Sequence, residues 1–227
     1  MSFSWNSDKY IKNVEETSNL LLRDYMDAEI DIVEGVENPK EKTFIDVGAG
    51  YGRMVSCLSR IGKKLISVEI DKNLLPELKK RTEKYSNVEI IEGDAQKLSF
   101  LLKGRNIENP VLICLQNTYG TPFGDPFKIL SEMVKVAEKN NGQIIISLFI
   151  QEGLKEYGIP IYYSVKELVG EPDLEKTDFE KGDFISKAGY KSHWWRPEER
   201  IKICNIVGGK KVSEITTKYF YLLHVKY

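Results

Sequence analysis

The hydrophobic residues of the chain follow two patterns, one typical of amphipathic helices and one typical of buried strands. Between residues 8 and 33, apolar side chains recur at helical spacing among acidic residues, which predicts one or two helices. Short, nearly continuous apolar runs then alternate with helical patterns as far as residue 150. Such runs predict strands buried on both faces, as in a parallel sheet covered by helices. The predicted strands are residues 43–46, 65–70, 88–91, 111–115 and 143–150.

The last third of the chain has a different pattern. Residues 151–195 are rich in Gly, Tyr, Phe and charge without clean periodicity, which indicates an insertion or lid. A short helix over 196–207 and two closely spaced strands, 212–217 and 219–225, are typical of a closing helix and an antiparallel hairpin. The prediction is therefore a single α/β domain with a doubly wound, Rossmann-like, seven-stranded sheet. Its expected parts are an N-terminal helical extension (1–42), a cofactor-binding core (43–150), the insertion (151–195) and the closing elements (196–227).

Composition and charge narrow the set of binding partners that the chain is expected to have. The 33 basic and 34 acidic residues give a net charge of -1, so no overall positive field favours nucleic acid or an anionic membrane. The longest apolar run, 144–150, is far shorter than the roughly 20 residues that span a bilayer. The polar and aromatic first ten residues lack a secretory signal, so a cytoplasmic location is expected. Three dispersed cysteines, Cys57, Cys114 and Cys204, predict no disulfide and no metal site.

Acidic residues follow three successive predicted strands. Asp46 precedes a turn with glycines at 48, 50 and 52, and glycine lets a ligand approach the backbone closely. Glu69 ends the second strand, where a carboxylate can accept both hydroxyl protons of a ribose. Asp94 follows the third strand, where an acceptor can meet the exocyclic amine of adenine. The carboxyl ends of parallel strands share one sheet edge, so these acids predict a nucleotide-type site there.

A nicotinamide dinucleotide is the first competing ligand, since it also uses this edge of the sheet. Its Gly-x-Gly-x-x-Gly fingerprint requires a third glycine where this chain has Arg53. An acid directly before the turn would repel a pyrophosphate, whereas it suits an ammonium group.

The segments 44–53, 66–71 and 88–95 resemble the class I S-adenosylmethionine (SAM)-dependent methyltransferases. The resemblance implies SAM as cofactor, with its methionine moiety near Asp46, its ribose on Glu69 and its adenine against Ile70 and Asp94. The predicted cofactor-binding residues are Asp46, Gly48, Ala49, Gly50, Gly52, Arg53, Glu69, Ile70, Asp94, Ala95 and Gln116.

The predicted catalytic residues are Asn117, Tyr119 and His193. Family members that methylate exocyclic amines of bases or glutamine amides tend to carry Asp/Asn-Pro-Pro-Tyr after the fourth strand, and this chain has Asn117 and Tyr119 there without the prolines. Asn117 either offers its carbonyl to an amine or only forms a turn. His193 is the candidate base if the acceptor must lose a proton. The adjoining tryptophans, 194 and 195, either form an aromatic wall over the acceptor or anchor the insertion to the core.

The acceptor expected from these features is the N or O atom of a small molecule, methylated by in-line displacement. The near-neutral charge and the aromatic insertion favour a small molecule, with no membrane partner and nucleic acid unlikely. Three alternatives stay open: a protein acceptor, an RNA acceptor bound by the basic C-terminal face, and SAM binding without catalysis. Trp5 and Tyr10 are expected to close the cofactor pocket. The sequence does not predict an oligomeric state.

Overall fold

The computed structural model describes residues 3–121 and 124–227, and a seven-stranded sheet forms the centre of this part of the chain. The strands of this sheet are β1 (Thr43–Val47), β2 (Lys64–Glu69), β3 (Val88–Glu92), β4 (Val111–Cys114), β5 (Gln143–Phe149), β8 (Lys210–Thr216) and β9 (Phe220–Lys226). Two further strands, β6 (Asp183–Ile185) and β7 (Lys191–His193), pair antiparallel in a separate two-stranded sheet. The order β3-β2-β1-β4-β5-β9-β8 confirms the predicted fold class. The first five strands are parallel, and β9 and β8 form the antiparallel hairpin at one edge.

Helices cover both faces of the sheet. The α-helices of the described residues are α1 (Ser7–Tyr10), α2 (Leu20–Glu34), α3 (Val55–Ile61), α4 (Leu75–Thr82), α5 (Leu98–Leu101), α6 (Pro126–Lys139), α7 (Ile159–Ser164), α8 (Lys166–Val169) and α9 (Pro197–Val207). Successive strand residues point to opposite faces, so alternate side chains of β1 enter two separate hydrophobic clusters. Phe44 packs in the cluster on the α2 side, and Ile45 packs in the cluster on the α6 and α9 side.

The ends of α6 carry typical capping residues. Asp125 accepts hydrogen bonds from the backbone N–H of Phe127 at 2.9 Å, and Pro126 occupies the first turn. Asn140 is the C-cap, and Asn141 adopts a left-handed conformation with φ 48°. These residues end the helix directly before β5, where Gln143 pairs with Val111 of β4.

The insertion is anchored by buried aromatic residues. The Trp194 ring is fully buried and stacks on Phe149 of β5 at 4.4 Å, with 16° between the planes. Its Nε1 donates to the hydroxyl of Tyr162 at 2.8 Å, and Tyr162 stacks on Phe184 at 3.6 Å. Of the two roles predicted for the tryptophans, the structure gives Trp194 the anchoring one.

The chain reverses its direction across the sheet between β1 and β4. After β1 it adds β2 and β3 on one side, then returns to place β4 on the other side of β1. Ligands of open α/β sheets bind in the crevice outside the carboxyl ends of the strands at such a reversal. No helix among the described residues is long and apolar enough to cross a membrane.

Candidate active site

A pocket lies at the carboxyl ends of the parallel strands. It has an empty volume of about 1110 Å³, which includes the solvent space at its open mouth. The strand ends contribute Asp46, Glu69, Asp94 and Gln116 to its lining. Trp5 and Tyr10 of the N-terminal segment and Tyr190 of the insertion also line it. Of the eleven predicted cofactor-binding residues, ten therefore meet in one pocket.

Glycines shape the turn between β1 and α3. Gly48 and Gly50 have φ values of +77° and +58°, a region that favours glycine. A Cβ on Gly48 would lie 2.5 Å from Cγ2 of Thr118, so the turns after β1 and β4 approach too closely for any side chain. A Cβ on Gly50 would meet only Leu74, at 4.0 Å, so the space beside this pocket-lining glycine is open.

Gly52, the one predicted cofactor residue outside the pocket, is also left-handed, with φ +93°. A Cβ there would lie 2.9 Å from Cδ1 of Leu78, so the glycine serves the packing of α4 against the turn.

Glu69 joins the second strand end to the glycine turn. Its carboxylate accepts hydrogen bonds from the backbone N–H of Gly50 at 2.6 Å, Ile70 at 2.8 Å and Asp71 at 2.7 Å. Burial raises the pKa of Glu69 above its ordinary value, although these N–H groups oppose the shift. Glu69 thus has a structural task in the turn in addition to its place in the pocket lining.

Asp46 is a buried carboxyl group at the end of β1. It is 4% exposed, and burial raises its pKa from 3.8 to about 7, while the positive charge of Arg53 acts in the opposite direction. Arg53 lines the same pocket and forms an ion pair with Glu29 of α2, whose side chain is fully buried. The pocket therefore combines acidic groups with the Arg53 guanidinium, a set that matches a ligand carrying both ammonium and carboxylate groups.

The turn after β4 holds two consecutive left-handed residues, Gln116 and Asn117, with φ values of 55° and 51°. Asn tolerates this conformation, whereas Gln adopts it only when its surroundings enforce it. The backbone N–H of Gln116 donates to the Glu29 carboxylate, and that of Asn117 donates to the Tyr25 hydroxyl at 2.9 Å. Tyr25 in turn donates to Ser147 Oγ at 2.8 Å, and Ser147 donates to Glu29. Helix α2 therefore holds this turn in place.

Glu29 is a site residue that was not predicted, although the sequence carries a signal for it. The buried side chains of α2 are Leu22, Tyr25, Met26, Glu29, Ile32 and Val33. Glu29 thus occupies a core-facing position in an otherwise apolar stripe. A carboxylate is expected there only when it is paired or hydrogen-bonded.

Two of the predicted catalytic residues are embedded in the protein. Asn117 is 2% exposed; its Nδ2 lies 3.1 Å from both Ser192 Oγ and the His193 carbonyl oxygen, and its Oδ1 accepts from the N–H of Phe149 at 3.1 Å. Tyr119 lines the pocket but is 3% exposed. The geometry gives Asn117 the turn-forming role, and catalysis by either residue stays a prediction.

His193, the third predicted catalytic residue, lies outside the pocket lining. Its Nδ1 is 2.7 Å from Asp183, and its Nε2 is 2.9 Å from Glu199. Both ring nitrogens are occupied, so the ring has no free position from which to take a proton from a methyl acceptor. Its role as a base also stays a prediction. Within residues 3–121 and 124–227 no His, Cys, Asp and Glu cluster could hold a metal ion.

Comparisons with known proteins identify the family. Residues 6–139 match the family model described as "Ribosomal RNA adenine dimethylase". A "Ribosomal RNA small subunit methyltransferase A" from Clostridium botulinum is 33% identical over 138 residues, covering 56% of this chain and 47% of that protein. The chain spans about half the length of the curated relatives it matches.

Solved structures share the fold. The PH0226 protein from Pyrococcus horikoshii has a TM-score of 0.66 at 17% identity, covering 96% of this chain and 98% of that one. The SAM-bound magnesium protoporphyrin IX methyltransferase from Synechocystis has a TM-score of 0.60 at 13% identity, covering 97% and 90% of the two chains.

These findings confirm the predicted methyltransferase resemblance, the fold class and the SAM cofactor. They also correct one prediction. A small-molecule acceptor was expected and nucleic acid was considered unlikely, whereas the family description and the relatives' names specify ribosomal RNA. A net charge near zero was the wrong guide because it averages over the surface and does not exclude a local basic patch. The match over residues 6–139, which contain all three strand-end acids, shows that the chain belongs to the ribosomal RNA adenine dimethylase family.

Proposed function

We propose that the protein is a SAM-dependent methyltransferase whose acceptor is an exocyclic amine of an RNA base, with adenine as the first candidate. The observation that carries this proposal is the pocket in which Asp46, Glu69 and Asp94 meet at the strand ends. The family match supports the choice of acceptor.

Different residues of the pocket bind different parts of the cofactor. In this proposal, Glu69 accepts hydrogen bonds from the ribose hydroxyls, and Asp94 accepts one from the adenine amine. Asp46 pairs with the ammonium group, and Arg53 faces the carboxylate. The open space beside Gly50 accommodates the close approach of the ligand to the backbone. When bound, SAM supplies an already activated methyl group, so the protein needs mainly to bind, align and exclude water.

Asn117 is engaged in hydrogen bonds inside the protein and is not free to bind the acceptor base. In this proposal the base therefore contacts the aromatic residues that line the pocket. Trp5 lies 5.0 Å from Tyr10 and 5.6 Å from Tyr190, measured between ring centroids. These three rings line the pocket and can stack on a planar base while shielding it from water. Gln116 lines the same pocket, and its amide oxygen can accept a hydrogen bond from the base amine.

Methyl transfer to RNA tests the proposal directly. The purified protein is incubated with SAM carrying a labelled methyl group and with unmodified small-subunit ribosomal RNA, the substrate class in the relatives' names. We expect label in the RNA and methylated adenosine after digestion to nucleosides. Asp46→Asn, which replaces the carboxyl by an amide of the same shape, should reduce the transfer at least tenfold. RNA that gains no label above a protein-free reaction, although the protein binds SAM, would contradict the RNA acceptor.

A further inference from the structure

The Glu29 carboxylate of α2 contacts two groups of the cofactor pocket from inside the protein. Glu29 has 0% exposure and is not part of the described pocket lining. Its Oε2 accepts a hydrogen bond from the Arg53 guanidinium, and its Oε1 accepts one from the backbone N–H of Gln116. Arg53 and Gln116 both line the pocket. One carboxylate therefore joins two parts of the lining, one after β1 and one after β4.

Arg53 keeps hydrogen-bond donors for a ligand in the pocket. Among residues 3–121 and 124–227, the only hydrogen-bond acceptor that contacts its guanidinium is Glu29, through Nη2. Its Nε and Nη1 are not among the fully buried unpartnered atoms of this part of the chain, so they retain accessible surface. The Arg53 side chain is 10% exposed and lines the pocket. A carboxylate bound there can therefore accept from these nitrogens.

The position of these donors depends on Glu29. Arginine has a long side chain, and a free guanidinium loses conformational entropy when a ligand fixes it. The ion pair with Glu29 fixes the Arg53 guanidinium before a ligand binds. Glu29 is itself held, because Ser147 donates to its Oε1 and Tyr25 donates to Ser147 at 2.8 Å. Arg53 is thus preorganised for a carboxylate, which lowers the cost of binding one.

The same carboxylate restrains the turn after β4. Gln116 is left-handed, with φ 55°, and Gln adopts this region only when its surroundings enforce it. The hydrogen bond from its N–H to Glu29 supplies that restraint. Because Gln116 lines the pocket, its backbone conformation decides where its side-chain amide stands.

We propose that Glu29 is a positioning residue that acts on both halves of the site. Its Oε2 holds Arg53 for the carboxylate of the cofactor, and its Oε1 holds Gln116 for the acceptor. The inference rests on the proposed function, in which Arg53 faces the cofactor's carboxylate. A ligand carboxylate that binds Arg53 should therefore also restrain the turn at Gln116, whereas the adenosine part of the cofactor should not depend on Glu29.

Two ligands separate the amino-acid end of the cofactor from its adenosine part. S-adenosylhomocysteine (SAH) and 5′-methylthioadenosine (MTA) are both thioethers of adenosine, and only SAH carries the amino-acid group. Calorimetric titration measures both ligands with the wild type, Glu29→Asp and Glu29→Gln. Arg53→Met is the reference for complete loss of the guanidinium. Glu34→Asp makes the same shortening at an exposed position of α2 and should match the wild type.

Both Glu29 variants should bind SAH about tenfold more weakly and bind MTA unchanged, since they disturb one charge-assisted hydrogen bond. Glu29→Asp keeps the charge but withdraws the carboxylate by one methylene group. Glu29→Gln keeps the length, but its amide has a single accepting oxygen and cannot accept from both Arg53 and the Gln116 N–H. Thermal unfolding checks that the variants fold.

Hydrogen exchange of the Gln116 amide tests the link to the turn and needs no variant. In the wild type, saturating SAH should slow this exchange about fivefold or more relative to saturating MTA, the low end of ordinary coupling between sites. In Glu29→Asp the difference between the two ligands should disappear. Equal protection by SAH and MTA in the wild type would overturn the link.

The binding outcomes separate positioning by Glu29 from other roles. Equal losses for SAH and MTA would make Glu29 a merely structural residue. Tighter SAH binding by Glu29→Gln would show that Glu29 competes with the ligand for Arg53. A loss of SAH affinity in Arg53→Met alone would keep the proposed role of Arg53 and refute positioning by Glu29. RNA that gains no methyl group in the transfer assay would remove the proposed acceptor and leave the comparison of SAH with MTA unaffected.

Discussion

The affinity for SAM should depend on pH through Asp46. Burial brings the pKa of this carboxyl to about 7 in the free protein, and pairing with the cofactor's ammonium group requires the ionised form. With a pKa near 7, the ionised fraction falls about tenfold between pH 8 and pH 6, so the affinity should fall about tenfold, or about 1.4 kcal/mol. Asp46→Asn has no such group, so the affinity should be lower at pH 8 and should lack this fall.

Calorimetric titration with SAM at half-unit steps from pH 6 to pH 8 measures both proteins. The cofactor's own amino group titrates near pH 7.7–8.0 and is mostly protonated below pH 7, so the change in the ratio of the two affinities between pH 7 and pH 6 isolates Asp46. A ratio that stays constant across this range would refute the pairing of Asp46 with the ammonium group.

Three further predictions concern other groups. Glu29→Leu should lower the free energy of unfolding by about 3–5 kcal/mol because it leaves the Arg53 charge buried and unpaired. Adding Arg53→Met to this variant should restore part of the lost stability. If urea unfolding shows that the losses of the two single variants simply add, the ion pair does not contribute to stability. Glu69→Ala should weaken SAM binding by about ten- to a hundredfold, since it removes a charged acceptor, and unchanged affinity in a folded variant would exclude the ribose role. Burial lowers the pKa of His224 from 6.5 to about 4, so between pH 6.5 and pH 4 only the unfolded state binds a proton at this residue, and the free energy of unfolding falls as pH falls. In urea unfolding, His224→Gln should therefore lose about 2 kcal/mol less than the wild type between pH 7.5 and pH 5. Equal losses in the two proteins would show that His224 is not the source of the pH dependence.

Much of the cofactor side could be predicted because its geometry follows from local sequence. Parallel strands bring their carboxyl ends to one edge, so residues such as Asp46, Glu69 and Asp94 meet wherever the strands are correctly placed. The left-handed turn at Gly48 likewise needs only the identity of its own residue.

The acceptor side depends on contacts between distant segments. Asn117 bonds to Ser192, 75 residues away in the chain, and Gln116 bonds to Glu29, 87 residues away. Asn117 is a residue type that forms turns, but the left-handed conformation of Gln116 is enforced by a partner in α2 that no local pattern reveals. The prediction places His193 near the acceptor because of its neighbours in sequence, whereas its ring contacts Asp183 of β6 and Glu199 of α9 and lies outside the lining of the cofactor pocket.

The support of the Gln116–Asn117 turn by α2 has a consequence for cooperativity. Two amide hydrogens of the turn are bonded to side chains of one helix, so they can exchange with solvent only when that helix moves away. Helix α2 and the Gln116–Asn117 turn would then open as one unit in native-state hydrogen exchange, with equal opening free energies. A change at the exposed face of α2 that loosens the packing of this helix would directly alter the Gln116–Asn117 turn at the pocket, without first altering the sheet.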